Sequence, residues 1–127
     1  MTRQSIEVEG LGHPGFPIPA ASRVGNIVAS GGIRGVDRET GVMPADAAGQ
    51  VKLMFTNVMA VAQAASVSAE RIVKMTFWVT SRECTPHINE LWLAHFPDPA
   101  SRPARHVMTY DLPGGMLAQC DFLAVAE

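Results

Sequence analysis

A two-layer α+β domain, with two helices packed on one face of a mixed sheet, is the fold class this sequence predicts. Three observations carry it. Residues 44–66 hold an apolar stripe at helical spacing, residues 71–80 alternate with a period of two, and a second helical segment opens at Thr85 and stops at Pro97. Two strand-like stretches precede the first helix and two follow the second, so the order is strand, strand, helix, strand, helix, strand, strand. The 127 residues read as one domain, 1–127, with no internal repeat, linker or low-complexity segment. A chain of this length buries roughly two thirds of the surface its unfolded form exposes, enough for a core without disulfide or metal.

Gly12, Gly15 and the prolines Pro14, Pro17 and Pro19 make residues 10–20 an irregular, extended lead-in. Ala20 to Val24 and Ile27 to Ser30 read as short strands around Gly25-Asn26, and Gly31-Gly32, Gly35, Asp37 and Gly41 mark a long loop. Pro44 or Asp46 opens the first helix, whose stripe is Val51, Phe55, Val58, Ala62 and Ala65, widened by Met54 and Met59. From Arg71 to Thr80, Val73, Met75, Phe77 and Val79 share one face of a strand and Lys74, Thr76 and Trp78 the other. Thr85 as N-cap and Pro86 in the first turn start the second helix, with Ile88, Leu91, Trp92 and His95 on one side. Ala104 to Tyr110 and Leu117 to Val125 are the last strands, joined through Leu112-Pro113-Gly114-Gly115. Helices on one face leave the other face of the sheet to be buried by something else.

Composition narrows the function. Apolar residues make up 47% and charged residues 17%, against roughly 25% charged in an average domain. A surface so poor in charge suits cover by a partner subunit. Ten Lys and Arg against twelve Asp and Glu give a net charge of −2, with no basic cluster interleaved with aromatics, which argues against a nucleic-acid binder. Cys84 and Cys120 match neither a disulfide framework nor a metal-ligand spacing. The N-terminus lacks a secretory pattern, and no run approaches the roughly 18 apolar residues of a membrane span. A soluble, cytoplasmic protein is the expectation.

Arg105 is the first candidate for chemistry, because Ser101-Arg102-Pro103-Ala104 delivers it rigidly to the start of a strand. A guanidinium offers a carboxylate two parallel donors and stays charged at any working pH. The other reading is a strand-end arginine or an intersubunit ion pair. Gln119 and Asp121 share a strand face, opposite to Cys120 and Phe122. Asp121 could exchange a proton with a water that Gln119 orients, or could belong to a structural polar pair. His13, His87, His95 and His106 form no zinc pattern, and His106 faces away from Arg105 in a regular strand. Cys120 reads as core rather than nucleophile. Gly31 and Gly32 let a backbone approach a ligand closely, and Asn89 is either a polar anchor or an exposed helix residue. Trp78, Trp92 and Phe96 fit an aromatic pocket or core packing.

Ser30-Gly31-Gly32-Ile33, Asp37 through Thr40-Gly41, Gln50, Asn57, Val73-Lys74-Met75-Thr76, Asn89 and Arg102-Pro103-Ala104-Arg105 occur in an order that resembles the RidA (YjgF) family, from about Ala20 to Ala126. The resemblance implies a chorismate-mutase-like fold, a homotrimer whose sheets line a central barrel, and ligand sites in clefts between subunits. It also implies hydrolysis of reactive 2-imino acids or their enamine tautomers to 2-oxo acids and ammonia, without metal or organic cofactor. By that likeness Arg105 grips the carboxylate of a small substrate, Gly31 adds backbone contacts and Asn89 supports the pocket. Three positions depart from the pattern. Gln119 stands where the archetypal deaminases carry a water-activating glutamate, Phe16 or Ile18 where they carry a tyrosine, and His106 where a small hydroxyl residue follows the arginine. Ile18 and His106 are therefore candidate pocket residues with altered chemistry. A missing general base forfeits roughly 100- to 10,000-fold, unless Asp121 reaches the same pocket. The rival reading is a trimeric protein that binds a small carboxylate without turning it over; a ribonuclease finds neither a catalytic histidine pair nor a basic groove.

Overall fold

In the computed structural model, which describes residues 1–13 and 15–127, two helices pack on one face of a mixed sheet. Pro14, one of the lead-in prolines, lies outside the described residues. The strands are β1 (Gln4–Ile6), β2 (Ala21–Val24), β3 (Ile27–Ser30), β4 (Ile33–Arg34), β5 (Ile72–Val79), β6 (Ala104–Thr109) and β7 (Ala118–Val125); the helices are α1 (Ala47–Ala64) and α2 (Thr85–His95). The sheet runs β1-β2-β3-β7-β5-β6, and β4 continues alongside β7 beyond the end of β3. β5 and β6 are parallel because α2 carries the chain back between them; the other pairs are antiparallel.

The α1 stripe is the centre of the core. Asp46 caps the helix by accepting the Gly49 N–H at 2.9 Å. Val51, Met54, Phe55, Val58, Val61 and Ala62 are all buried. Phe55 stacks on Phe77 of β5 with centroids 5.7 Å apart, and Phe77 meets the edge of Trp92 of α2 at 6.2 Å, which locks both helices to the sheet. Two amides tie loops to this core. Gln50 donates to the carbonyls of Pro44 and Gly115 and accepts from Leu117 N–H, while Asn57 donates to the carbonyls of Arg34 and Val36. Gly35 is required beside them, since a Cβ there would overlap the Gln50 carbonyl.

Four local expectations need correction. β1 is an additional strand: its three residues are mostly exposed, so no alternation marks it, and backbone pairing with β2 alone defines it. β4 lies inside the expected long loop for the same reason, with Ile33 opposite Cys120 and Arg34 opposite Gln119. Val73 does not share the face of Met75, Phe77 and Val79. A bulge between Ile72 and Lys74 turns Ile72 inward and leaves Val73 51% exposed. Thr85 is already helical rather than the cap; Cys84 takes that place without a side-chain bond, after a 3₁₀ turn over Arg82–Cys84 whose own cap is Ser81.

Candidate functional site

Each strand sorts its side chains between two faces, and this sorting decides which candidate residues can meet. Arg105 lies opposite Met75 in the β5–β6 register and His106 opposite Thr76, so Arg105 is on the helix side and His106 on the open side. Arg105 is held there by three contacts. Its guanidinium carbon sits 5.0 Å from the Trp92 ring centroid and 6.0 Å from that of Phe77, and Nη2 donates to Asn89 Oδ1 at 2.5 Å. Burial draws its pKa down from the ordinary arginine value, yet a guanidinium in this half-buried setting remains a cation. Asn89 is thus a partner of Arg105 rather than an idle helix residue.

A cavity of about 470 Å³ opens in front of this group. Arg105, Asn89, Thr85, Thr109 and Arg82 give it a polar wall, with Val79 and Val107 as its apolar floor. Arg82 and Thr85 escape a reading of the sequence, because each sits at an element end where periodicity says nothing about direction; Thr109 shares the face of Arg105 by strand alternation.

Gln119 and Asp121 come together, but on the other face. Cys120 and Phe122 between and beyond them are buried toward the helices, and the two polar side chains line an open-face depression with Gly32, Trp78 and Tyr110. A Cβ on Gly32 would meet the end of the flexible Gln119 side chain lying across it, so a substitution there displaces the Gln119 amide. The chain leaves the β7 ladder at Ser30-Gly31-Gly32, and Ser30 Oγ takes over by accepting the Phe122 N–H at 2.8 Å and donating to Gly31 O. Burial raises the Asp121 carboxyl pKa from its ordinary value. Such a carboxylate is a better proton acceptor than a free one.

The remaining candidates lie apart. Gly31 donates its N–H to Ala20 O beneath the lead-in, 3.4 Å from Pro19 O to the position a Cβ would take. Ile18 lines a separate surface depression with His13 and Phe16, and its carbonyl is 3.3 Å from His13 Nδ1. His106 Nδ1 is 3.0 Å from Lys74 Nζ on the open face. Cys120 is fully buried with its thiol pKa raised by that burial, and Trp92 and Phe96 are core residues, whereas Trp78 faces the open-face depression. No group of three or more His, Cys, Asp or Glu among the described residues could hold a metal ion, and no helix is long and apolar enough to cross a membrane.

Comparison with known proteins finds the same pattern elsewhere. A family model described as Endoribonuclease L-PSP matches residues 18–125. The putative reactive intermediate deaminase TdcF of Escherichia coli K12 is 33% identical over 104 residues, which are 80% of this chain and 81% of that protein. The 2-iminobutanoate/2-iminopropanoate deaminase of the same strain is 32% identical over 104 residues, with 80% and 81% covered. The crystal structure of E. coli TdcF with bound serine superposes with a TM-score of 0.87 at 28% identity, covering 98% of this chain and 99% of that one.

Proposed function

The chain belongs to the RidA family, and from that premise we propose that it hydrolyses small 2-imino acids, or their enamine tautomers, to 2-oxo acids and ammonia without a cofactor. The observation that carries this reading is the Arg105 cation, immobilised on Trp92 and Asn89 at the wall of a polar cavity. Two relatives bear deaminase in their names, and the TdcF structure holds serine, itself a carboxylate-bearing molecule. A carboxylate paired bidentately with Arg105 fixes the imine carbon relative to an attacking water, and positioning of this kind supplies much of the barrier reduction for an already electrophilic carbon.

The reaction is redox-neutral. Water adds to the C=N carbon as the nitrogen takes a proton; the C–N bond of the resulting carbinolamine then breaks, ammonia leaves and C=O forms. Gln119 can accept a hydrogen bond from the water and orient it, but cannot take its proton. Asp121, two residues along the same face, takes that proton and returns it to the leaving nitrogen. It fills the role that the glutamine leaves open.

Arg105 and the Gln119–Asp121 pair lie on opposite faces of one sheet, so one protomer cannot present both to one small molecule. A homotrimer solves this if the Arg105 cavity of one protomer meets the open face of its neighbour. The same packing covers Ile27, Leu123 and Met108, which are 52%, 43% and 46% exposed on that open face. The mass in solution at micromolar concentration is expected to be that of three chains; a monomer contradicts the shared site.

The test generates an imino acid in situ with an amino-acid oxidase and follows its decay. The wild type is expected to accelerate it. Gln119 favours one other reading, a binding protein without turnover. That reading gains if the wild type leaves the decay unchanged while Gln119→Glu speeds it.

A further inference from the structure

A second guanidinium shares the cavity of Arg105. Arg82 lies in the 3₁₀ turn before α2, a turn held at both ends: Ser81 Oγ accepts the Glu83 N–H at 3.3 Å, and Cys84 is buried with its Sγ 3.4 Å from Leu117 O. Three other arginines serve the fold. Arg23, Arg71 and Arg102 donate to the backbone carbonyls of Gly25, Ala65, Val125, Phe96 and Pro97. Arg82 instead is exposed and lines the cavity.

The charges around the two cations do not cancel. Arg105 spends its hydrogen bond on the neutral amide of Asn89, and Thr85 and Thr109 contribute hydroxyls. No carboxylate lines the cavity among the described residues. Even with Asp121 supplied by a neighbouring protomer, two cations face one anion.

We infer that this cavity is built for a diacid: a 2-imino or enamine acid with a second, distal carboxylate, Arg105 holding the carboxylate beside the reacting carbon and Arg82 the distal one. The inference rests on the proposed deamination for its reaction, but its recognition half stands separately. Like-charged guanidinium groups in one cavity repel each other, and a dianion relieves that repulsion while forming two charge-assisted pairs.

The test has two arms. In the first, imino acids are generated from aspartate and from alanine by oxidases of matching specificity, and their decay is followed with wild type, Arg82→Ala and Arg82→Lys. The wild type is expected to favour the diacid by at least about tenfold in kcat/KM, Arg82→Ala to lower that ratio by about tenfold, and Arg82→Lys to keep part of it. Turnover of both imines without preference, or a ratio indifferent to Arg82→Ala, overturns the inference and leaves the deaminase reading intact. In the second arm, calorimetry compares succinate with propionate. If neither imine is turned over, the deaminase reading fails, and tighter succinate binding lost in Arg82→Ala still supports the diacid site. Equal affinities for the two acids overturn it.

Discussion

Arg105→Ala is expected to lower kcat/KM for imino-acid hydrolysis by about 100- to 1,000-fold, because it removes a bidentate, charge-assisted pair that both binds and orients the substrate. A lower kcat together with a higher KM separates this from simple loss of affinity. The fold should survive: the side chain is half-buried against Trp92 and Phe77, and its removal exposes ring surface and frees only Asn89 Oδ1, on an exposed residue that water reaches. Arg105→Lys should recover little, since an ammonium is a point charge with no fork of parallel donors. Initial rates of imine decay, with circular dichroism as the folding control, measure this. Full activity in Arg105→Ala refutes the carboxylate clamp.

The second large effect is at Asp121. Asp121→Asn is expected to cost about 100-fold or more in kcat, the range a positioned general base contributes, with KM little changed. The pH dependence gives a sharper readout. Burial raises the Asp121 pKa, so the wild-type rate should fall, on acidification, at a higher pH than a free aspartate would set, as the base becomes protonated. Asp121→Asn removes that limb. Stability has the opposite slope: with the folded pKa above the unfolded one, the folded state binds the extra proton, and stability falls as pH rises from the ordinary carboxylate value through the raised one. A merely structural Asp121 would show the stability slope and no activity limb.

Several features of this architecture were legible before any coordinates. The α1 stripe could be read because five or six apolar residues at helical spacing leave little choice of buried face. The shared face of Gln119 and Asp121 followed from strand alternation, and the ordered motifs pointed to the family. What escaped was set by backbone pairing rather than by side-chain pattern. β1 and β4 carry too few residues to show a period, and the bulge at Val73 is decided by how β5 meets β7. Arg82 was invisible for a related reason: a three-residue 3₁₀ turn has no apolar signature to orient it. The most consequential gap concerned the two halves of the site. Alternation separates Arg105 from His106, but only the β5–β6 register tells which of them looks toward the helices.

The proposed reaction needs two copies of the chain to assemble one working centre, and subunit complementation tests this most directly. Arg105→Ala and Asp121→Asn are each purified as inactive homo-oligomers, then mixed in equal amounts, dissociated and reassembled. If one protomer supplies the cation and its neighbour the carboxylate, some interfaces regain both, and random reassembly in a cyclic oligomer restores about a quarter of wild-type activity. Should the reassembled mixture stay as inactive as its parents while reassembled wild type recovers, both groups must act within one chain, and the site described here is wrong.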